Sequence, residues 1–328
     1  TAGFYFACRK RMNNAFNKPH LSMPEQIQRL RDRGMRIDAT EYAIEHLSII
    51  GYYRLSSYWY HMEIPAESED ERSHNFLPGT TFEDVVRVYV YDQRLRLLVL
   101  EALERLEIGI RAKWAHYLSE ESGSHAHLNP ECFHDRSEHL KSLGILIGEV
   151  ERSRPNSCEI RHYLKNYNMP VIPPIWSIVS CMSFGELIRW VHNTESITVK
   201  RRIAKDVLGV PNLNLFDGIT RQLGTVRNIC AHHGRLWDQR FITRMPLVQT
   251  HLKAPMVAVQ ENITNRKTIA DNRIYNTLLI LGHLMLLLSP GSSWPSRVAD
   301  LTKSSLPARL ISVMGAPENW DKELLWQK

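Results

Sequence analysis

The chain has 328 residues, 43% hydrophobic and 23% charged, which is enough apolar material for a sizeable core and excludes an intrinsically disordered polymer. Lys and Arg number 41 against 35 Asp and Glu, a formal net charge of +6 that is compatible with a polyanionic partner and too small to require one. Five cysteines (Cys8, Cys132, Cys158, Cys181 and Cys230) form no C-x-x-C pair, which argues against a disulfide scaffold or a zinc ribbon and fits a reducing, cytoplasmic setting.

The opening TAGFYFACRKRMNN carries its charge after a short apolar patch, the reverse of a signal peptide, and lacks an initiating Met, which fits a processed start. From Pro24 the spacing predicts a short helix over 24–34, with Ile27 and Leu30 on one face, and a second over 39–49. The aromatic run IGYYRLSSYWY (50–60) is a weak strand candidate, and 66–79 reads as an exposed loop. Thr80 and Glu83 fit a capping box that opens a long helix, continuous or broken once, to about Leu118.

Turn chemistry and several histidines occupy 119–135, and helical segments resume to Asn168. Pro170, Pro173 and Pro174 mark a rigid connection before helices at 183–191 and 197–208. A long helix from Leu215, another over 273–288, a loop at 289–296 and a short final helix complete the reading. Residues 256–259 are the second weak strand candidate. The apolar stretch 277–288 is shorter than the about 20 residues a membrane helix needs and reads as a buried helix. The expected fold is all-α, either with a boundary between an N-terminal segment, 1–78, and a larger domain, 79–328, or as one continuous domain.

The segment LFDGITRQLGTVRNICAHHGRLWDQR, 215–240, carries the chemistry. Phe216, Ile219, Leu223, Val226 and Cys230 recur at +3, +4, +3, +4, an amphipathic helix that Gly234 is placed to end in a left-handed conformation. Asn228 and His232 lie one turn apart on the opposite face, Arg227 at the stripe's edge, and His233 beside the stripe as a packed, hydrogen-bonded histidine. On the helix alone His232 reads as a solvated surface histidine; an exposed Arg–Asn–His cluster at a helix C-terminus is also suited to phosphate. The helix dipole there favours a protonated imidazole, histidine serves as acid or base near neutral pH, and a guanidinium can stabilise a developing phosphorane.

Arg227-Asn228-Ile229-Cys230-Ala231-His232 resembles the R-N-x-x-x-H form of the R-x4-6-H signature of HEPN-superfamily ribonucleases. Further blocks resemble the AbiD/AbiF-type abortive-infection proteins: IGYYRLSSYWY (50–60), YDQRLRLLVLEALERLEIGIRAKWAH (91–116), PPIWSIVSCMSFGEL (173–187), RNICAHHGRLWD (227–238) and MGAPENWDKELLW (314–326). The resemblance spans roughly Lys18 to Trp326. It implies a bacterial phage-defence protein with a HEPN-like helical bundle, elaborated at both ends. The implied activity is metal- and cofactor-independent endoribonuclease cleavage to 2′,3′-cyclic phosphate and 5′-OH ends. On the matching positions, His232 is the acid–base group, Arg227 stabilises the transition state, and Asn228 orients His232 or the phosphate. Arg227 and His232 are about 140° apart on an ideal helix. With one copy of the motif, that offset fits a composite site in a homodimer. The resemblance also admits a bound regulatory noncoding RNA, and hence an alternative: a non-catalytic protein of this fold that holds such an RNA.

His233, Arg235, Lys200, Arg201, Arg202, Tyr53 and Arg54 are candidate RNA contacts, through phosphate pairing or base stacking; against this, clustered Tyr and Trp commonly build a core. Arg9-Lys10-Arg11 and Arg29/Arg31/Arg33 are further basic clusters. Arg105, Glu107 and Arg111 read as surface ion pairs or as part of a cleft. His125, His127, His134 and His139 with Cys132 and Asp135 offer zinc-type ligands at a spacing that fits no familiar site, so no metal is assigned. No P-loop or G-x-S-x-G string is present.

Overall fold

The computed structural model describes residues 19–66, 72–209, 211–248, 252, 254–260 and 268–327; Cys8, the basic cluster at 9–11 and part of the expected loop at 66–79 lie outside them. The chain divides into two compact units, 1–86 and 87–328. Among the described residues the fold is all-α, 13 α-helices with one two-stranded sheet.

In the first unit, α1 (Met23–Asp32) starts on a capping box in which the Ser22 N–H donates to Glu25 Oε2 at 2.7 Å. It packs on α2 (Thr40–Ile50), burying Ile27 and Leu30 against the Ala43 and Leu47 face. Gly51, at φ 87°, ends α2 in a conformation open to glycine, and α3 (Tyr52–Ser56) follows at once. The aromatic run is therefore helix and turn, not strand. Tyr58 and Trp59 are buried, with Trp59 edge-on to Tyr52 and Phe76. Ring packing drives this stretch, and a helical turn delivers it as well as a strand would.

The cap of the long helix α4 (Phe82–Ser122) falls one residue later than the sequence predicts. Thr81 Oγ1 accepts the Asp84 N–H at 3.1 Å, and Asp84 Oδ2 accepts the Thr81 N–H at 3.1 Å. Thr80 is unsuited because its buried backbone is engaged: its carbonyl accepts the Arg36 N–H at 2.9 Å. The helix then runs without a break for 41 residues.

The second unit is built around α4. Leu95, Val99, Leu103, Leu106, Ile110 and Trp114 recur at helical spacing and are all buried. After α5 (Arg136–Ser153), α6 (Cys158–Asn166) and α7 (Ile175–Ile178) come the three helices nearest the motif: α8 (Phe184–Asn193), α9 (Ile197–Leu208) and α10 (Leu213–Ala231). Ser183 and Glu186, from the M-S-F-G-x-L block, form the capping box of α8. Helix α10 packs on α8 and α9, with Phe216, Ile219, Leu223, Val226 and Cys230 buried as the spacing predicts.

Strand β1 (Ala258–Gln260), overlapping the expected candidate, pairs antiparallel with β2 (Thr268–Ala270), Val259 opposite Ile269. Helix α11 (Ile274–Leu288) is apolar on every face and is buried inside protein. Helices α12 (Trp294–Ser305) and α13 (Ala308–Val313) lead to the terminal block, where Trp320 and Trp326 pack on Tyr275 of α11. Among the described residues no helix is long and apolar enough to cross a membrane.

Candidate active site at the end of α10

Helix α10 ends in a Schellman turn. The Gly234 N–H donates to the Ile229 carbonyl at 2.7 Å and the His233 N–H to the Cys230 carbonyl at 3.1 Å. The left-handed residue is His233, at φ 57°, not Gly234 as the sequence suggests. Gly234 is needed for space: a Cβ there would sit 3.2 Å from the Ile229 carbonyl oxygen. Because the helix stops at Ala231, His232 is its C-cap and His233 turns away, exposed instead of lying beside the apolar stripe.

His232 and Asn228 are exposed and Arg227 is half-buried. Among the described residues, none of the three engages its side chain in an intramolecular hydrogen bond or ion pair. The Asn228 carbonyl accepts the His232 N–H at 3.0 Å, the last turn of the helical ladder. The two side chains therefore stand one turn apart on the same surface, as the spacing predicts.

The turn that presents them is held from behind by α4. Asp92 is fully buried, and its Oδ1 accepts the N–H groups of Leu236 and Trp237 at 3.0 and 2.8 Å. Its Oδ2 pairs with Arg96, also buried, and Arg96 Nη1 donates to the Gly234 carbonyl at 3.1 Å. One carboxylate and one guanidinium thus satisfy three backbone groups of the segment after the motif. In a dry setting those groups would otherwise be costly to bury. Cys230, packed on the same side, has its thiol pushed up to about 12 by burial, so it is an apolar filler and not a nucleophile. Farther along α4, Arg111 pairs with Glu107 and donates to the Met182 carbonyl at 2.7 Å. It ties α4 to the segment that starts α8.

The expected RNA contacts divide. Arg235 adjoins the motif and pairs with Asp238 at 2.8 Å. Lys200 lies near enough to His192 to act on its charge, while Arg202 pairs with Glu120 and lies 3.8 Å over the Tyr117 ring. Arg201 is exposed. Tyr53, 91% exposed, and the half-buried Arg54 belong to the first unit. In the histidine-rich turn, His127 and His139 are buried; His139 stacks on Phe133 at 4.4 Å, and burial drives His127 down to about 3. These two act as core residues, and among the described residues no three His, Cys, Asp or Glu side chains gather as a metal site.

The Abi-like protein family matches the chain over residues 45–238. The chain belongs to that family. No curated protein and no solved structure matches it. In this Abi-like protein the matched region takes in Asp92 and Arg96, which hold the backbone after the motif, the Arg111 tie and the whole motif turn. Membership ties the protein to abortive infection.

The family-like blocks in the sequence thus acquire distinct jobs. Y-D-x-x-L-R supplies the Asp92–Arg96 clamp, E-x-x-x-R the Arg111 tie, and S-F-G-E the cap of α8. The sequence offered a signal for the clamp, a buried-face Asp and Arg at i, i+4 in an otherwise apolar stripe. It offered none for their partners, 138 to 145 residues away.

Proposed function

We propose that this Abi-like protein is an endoribonuclease of the HEPN type that acts in abortive infection, cleaving RNA without a metal ion. The observation that carries this reading is Asn228 and His232 presented on one face at the end of α10, with Arg227 in the same stretch of helix, all three uncommitted to other side chains, ahead of a turn fastened to α4. In the reaction the 2′-OH of one nucleotide attacks the adjacent phosphorus. The O2′–P bond forms, the P–O5′ bond breaks, and a 2′,3′-cyclic phosphate and a 5′-OH end result. A base takes the 2′-OH proton and an acid gives one to the leaving O5′; His232 serves in one of these roles. Arg227 offsets the charge gathering on the phosphate, and Asn228 orients His232 or the phosphate. A homodimer supplies the second acid–base group and a second arginine from the partner's copy of the same turn.

The test uses the purified full-length chain, end-labelled single-stranded RNA and EDTA. Cleavage that persists in EDTA, yields cyclic phosphate ends and falls by about 10²-fold or more in His232→Ala and Arg227→Ala supports the reading. RNA bound tightly and never cut would leave the non-catalytic RNA-holding protein in its place. Light scattering at micromolar concentration checks the dimer, and an active monomer would remove the composite site.

A further inference from the structure

Helices α8 and α10 pack on each other, and an open groove of about 510 Å³ is lined by both and by residues at the start of α5. Its floor includes Ile188, His192 and Thr220; its rims carry Arg189 on α8, Arg221 on α10 and Glu138 on α5. Asn228 of the motif lines the same groove. We infer that this groove is the track for the RNA strand flanking the scissile phosphate, with Arg189 and Arg221 holding a backbone phosphate on the way to His232. The assignment rests on the RNA-cleaving reading of the motif and adds to it where the strand runs.

Three observations carry it. The first is register. Arg221, Thr225, Asn228 and His232 follow one another at successive turns of a single face, a path of about 16 Å at 1.5 Å per residue. That is longer than one nucleotide, so a strand engaged at His232 reaches Arg221 with a neighbouring phosphate.

The second is charge. Arg189 and Arg221 are exposed, and no carboxylate pairs with them among the described residues. Asp217, which could neutralise Arg221, faces His192 at 3.2 Å, and the Thr220 hydroxyl meets the same imidazole nitrogen at 3.1 Å. Asp135 is engaged as the N-cap of α5, accepting the Glu138 N–H at 2.9 Å. No carboxylate contacts either guanidinium among the described residues, so both can reach an anion, while the Glu138 carboxylate can accept from ribose hydroxyls or base amino groups.

The third is glycine. Gly185 and Gly224 both line the groove, and a Cβ on either would meet nothing within 4 Å. Gly224 lies inside α10, where glycine weakens a helix relative to alanine. By contrast, Gly218 of the same helix is needed because Pro246 Cδ would come within 2.6 Å of a Cβ. Gly224 makes room for nothing in its own chain, and an occupant of the groove gives that space a use.

The experiment measures binding of fluorescein-labelled single-stranded RNA by anisotropy across a KCl series. The host is the full-length His232→Ala chain, so that the RNA is not consumed. Arg189→Ala/Arg221→Ala and Gly224→Leu are each expected to weaken binding by about tenfold or more. The double variant should also flatten the plot of log K against log salt by about 0.7 for each phosphate no longer neutralised. Gly224→Ala should raise the melting temperature while weakening binding, a pair of changes that a purely structural glycine would not give. RNA bound with unchanged affinity and salt slope by the double variant and by Gly224→Leu overturns the groove, and the nuclease stands if the parent chain still cuts. Groove-dependent binding by a chain that never cuts upholds the groove and overturns the nuclease. A chain that neither binds nor cuts RNA overturns both.

Discussion

Glu63 in the first unit and Asp92 in the second are both buried against arginine, and the two arrangements differ in where the remaining bonds go. In the first unit, Glu63 accepts from Arg33 at 2.6 Å and, through both oxygens, from Arg72 at 2.9 and 2.6 Å. Arg33 also lies 4.9 Å over the Phe76 ring and donates to the His74 carbonyl. Apart from the bond to the His74 carbonyl, this is side chain answering side chain, and it ties the residues after α3 to the end of α1. In the second unit, Asp92 takes one arginine on one oxygen and turns the other to backbone 144 and 145 residues away. The first arrangement closes on itself, whereas the second fixes the backbone that follows the histidine motif. Similar chemistry thus serves packing in one unit and presentation of a site in the other.

Substitutions can break that contrast. Asp92→Ala strands the buried Arg96 and two amides at once and should lower unfolding stability by about 3–5 kcal/mol, read from urea denaturation. RNA cleavage should fall further than the loss of folded protein explains, when rates are normalised to folded protein at low temperature. A loss below about 1 kcal/mol would show that water replaces the carboxylate and that there is no clamp. Glu63→Gln leaves two arginines that are 15% and 35% exposed and can rehydrate, so the expected loss is smaller, about 1–3 kcal/mol, with cleavage per folded molecule unchanged.

Acid should separate the units without any mutation. Burial lowers His127 in the second unit from an ordinary 6.5 to about 3. The unfolded chain therefore takes up that proton first. The contribution is fully present above pH 6.5 and drains away as the pH falls toward 3. Hydrogen exchange should show amides of 87–328 losing protection over that window, and His127→Leu should flatten the loss. The smallest effect belongs to the cap. Thr81→Ala should cost about 1 kcal/mol in thermal unfolding, whereas Thr80→Ser, one residue earlier, should cost less because its side chain caps nothing.

Much of the helical framework was legible in the sequence because it depends on neighbours. The stripe of α10 and the apolar α11 are local patterns, and the structure keeps them. The miss at the start of α4 is instructive. Thr80 and Thr81 both have an acidic residue three positions on, and the choice falls to Arg36, whose backbone occupies Thr80. No local rule sees that partner. The run at 50–60 fails for a related reason, since aromatic residues suit a strand or a packed turn equally and Trp59 is decided by Phe76. For the site, the sequence names His232, Asn228 and Arg227 by resemblance. It puts the left-handed residue one position late, at Gly234, and is silent on the partners of the α4 clamp and on the groove, which depend on residues brought together from distant elements.

The reversed backbone at His233 divides the work of two adjacent histidines that look interchangeable in the sequence. His232 keeps a helical exit and can be judged by its side chain. His233 stands at a positive φ that β-branched residues resist and that Gly and Asn enter readily. A saturation library across this pair should therefore show two kinds of tolerance: position 232 sorted by acid–base chemistry, and position 233 sorted by backbone freedom.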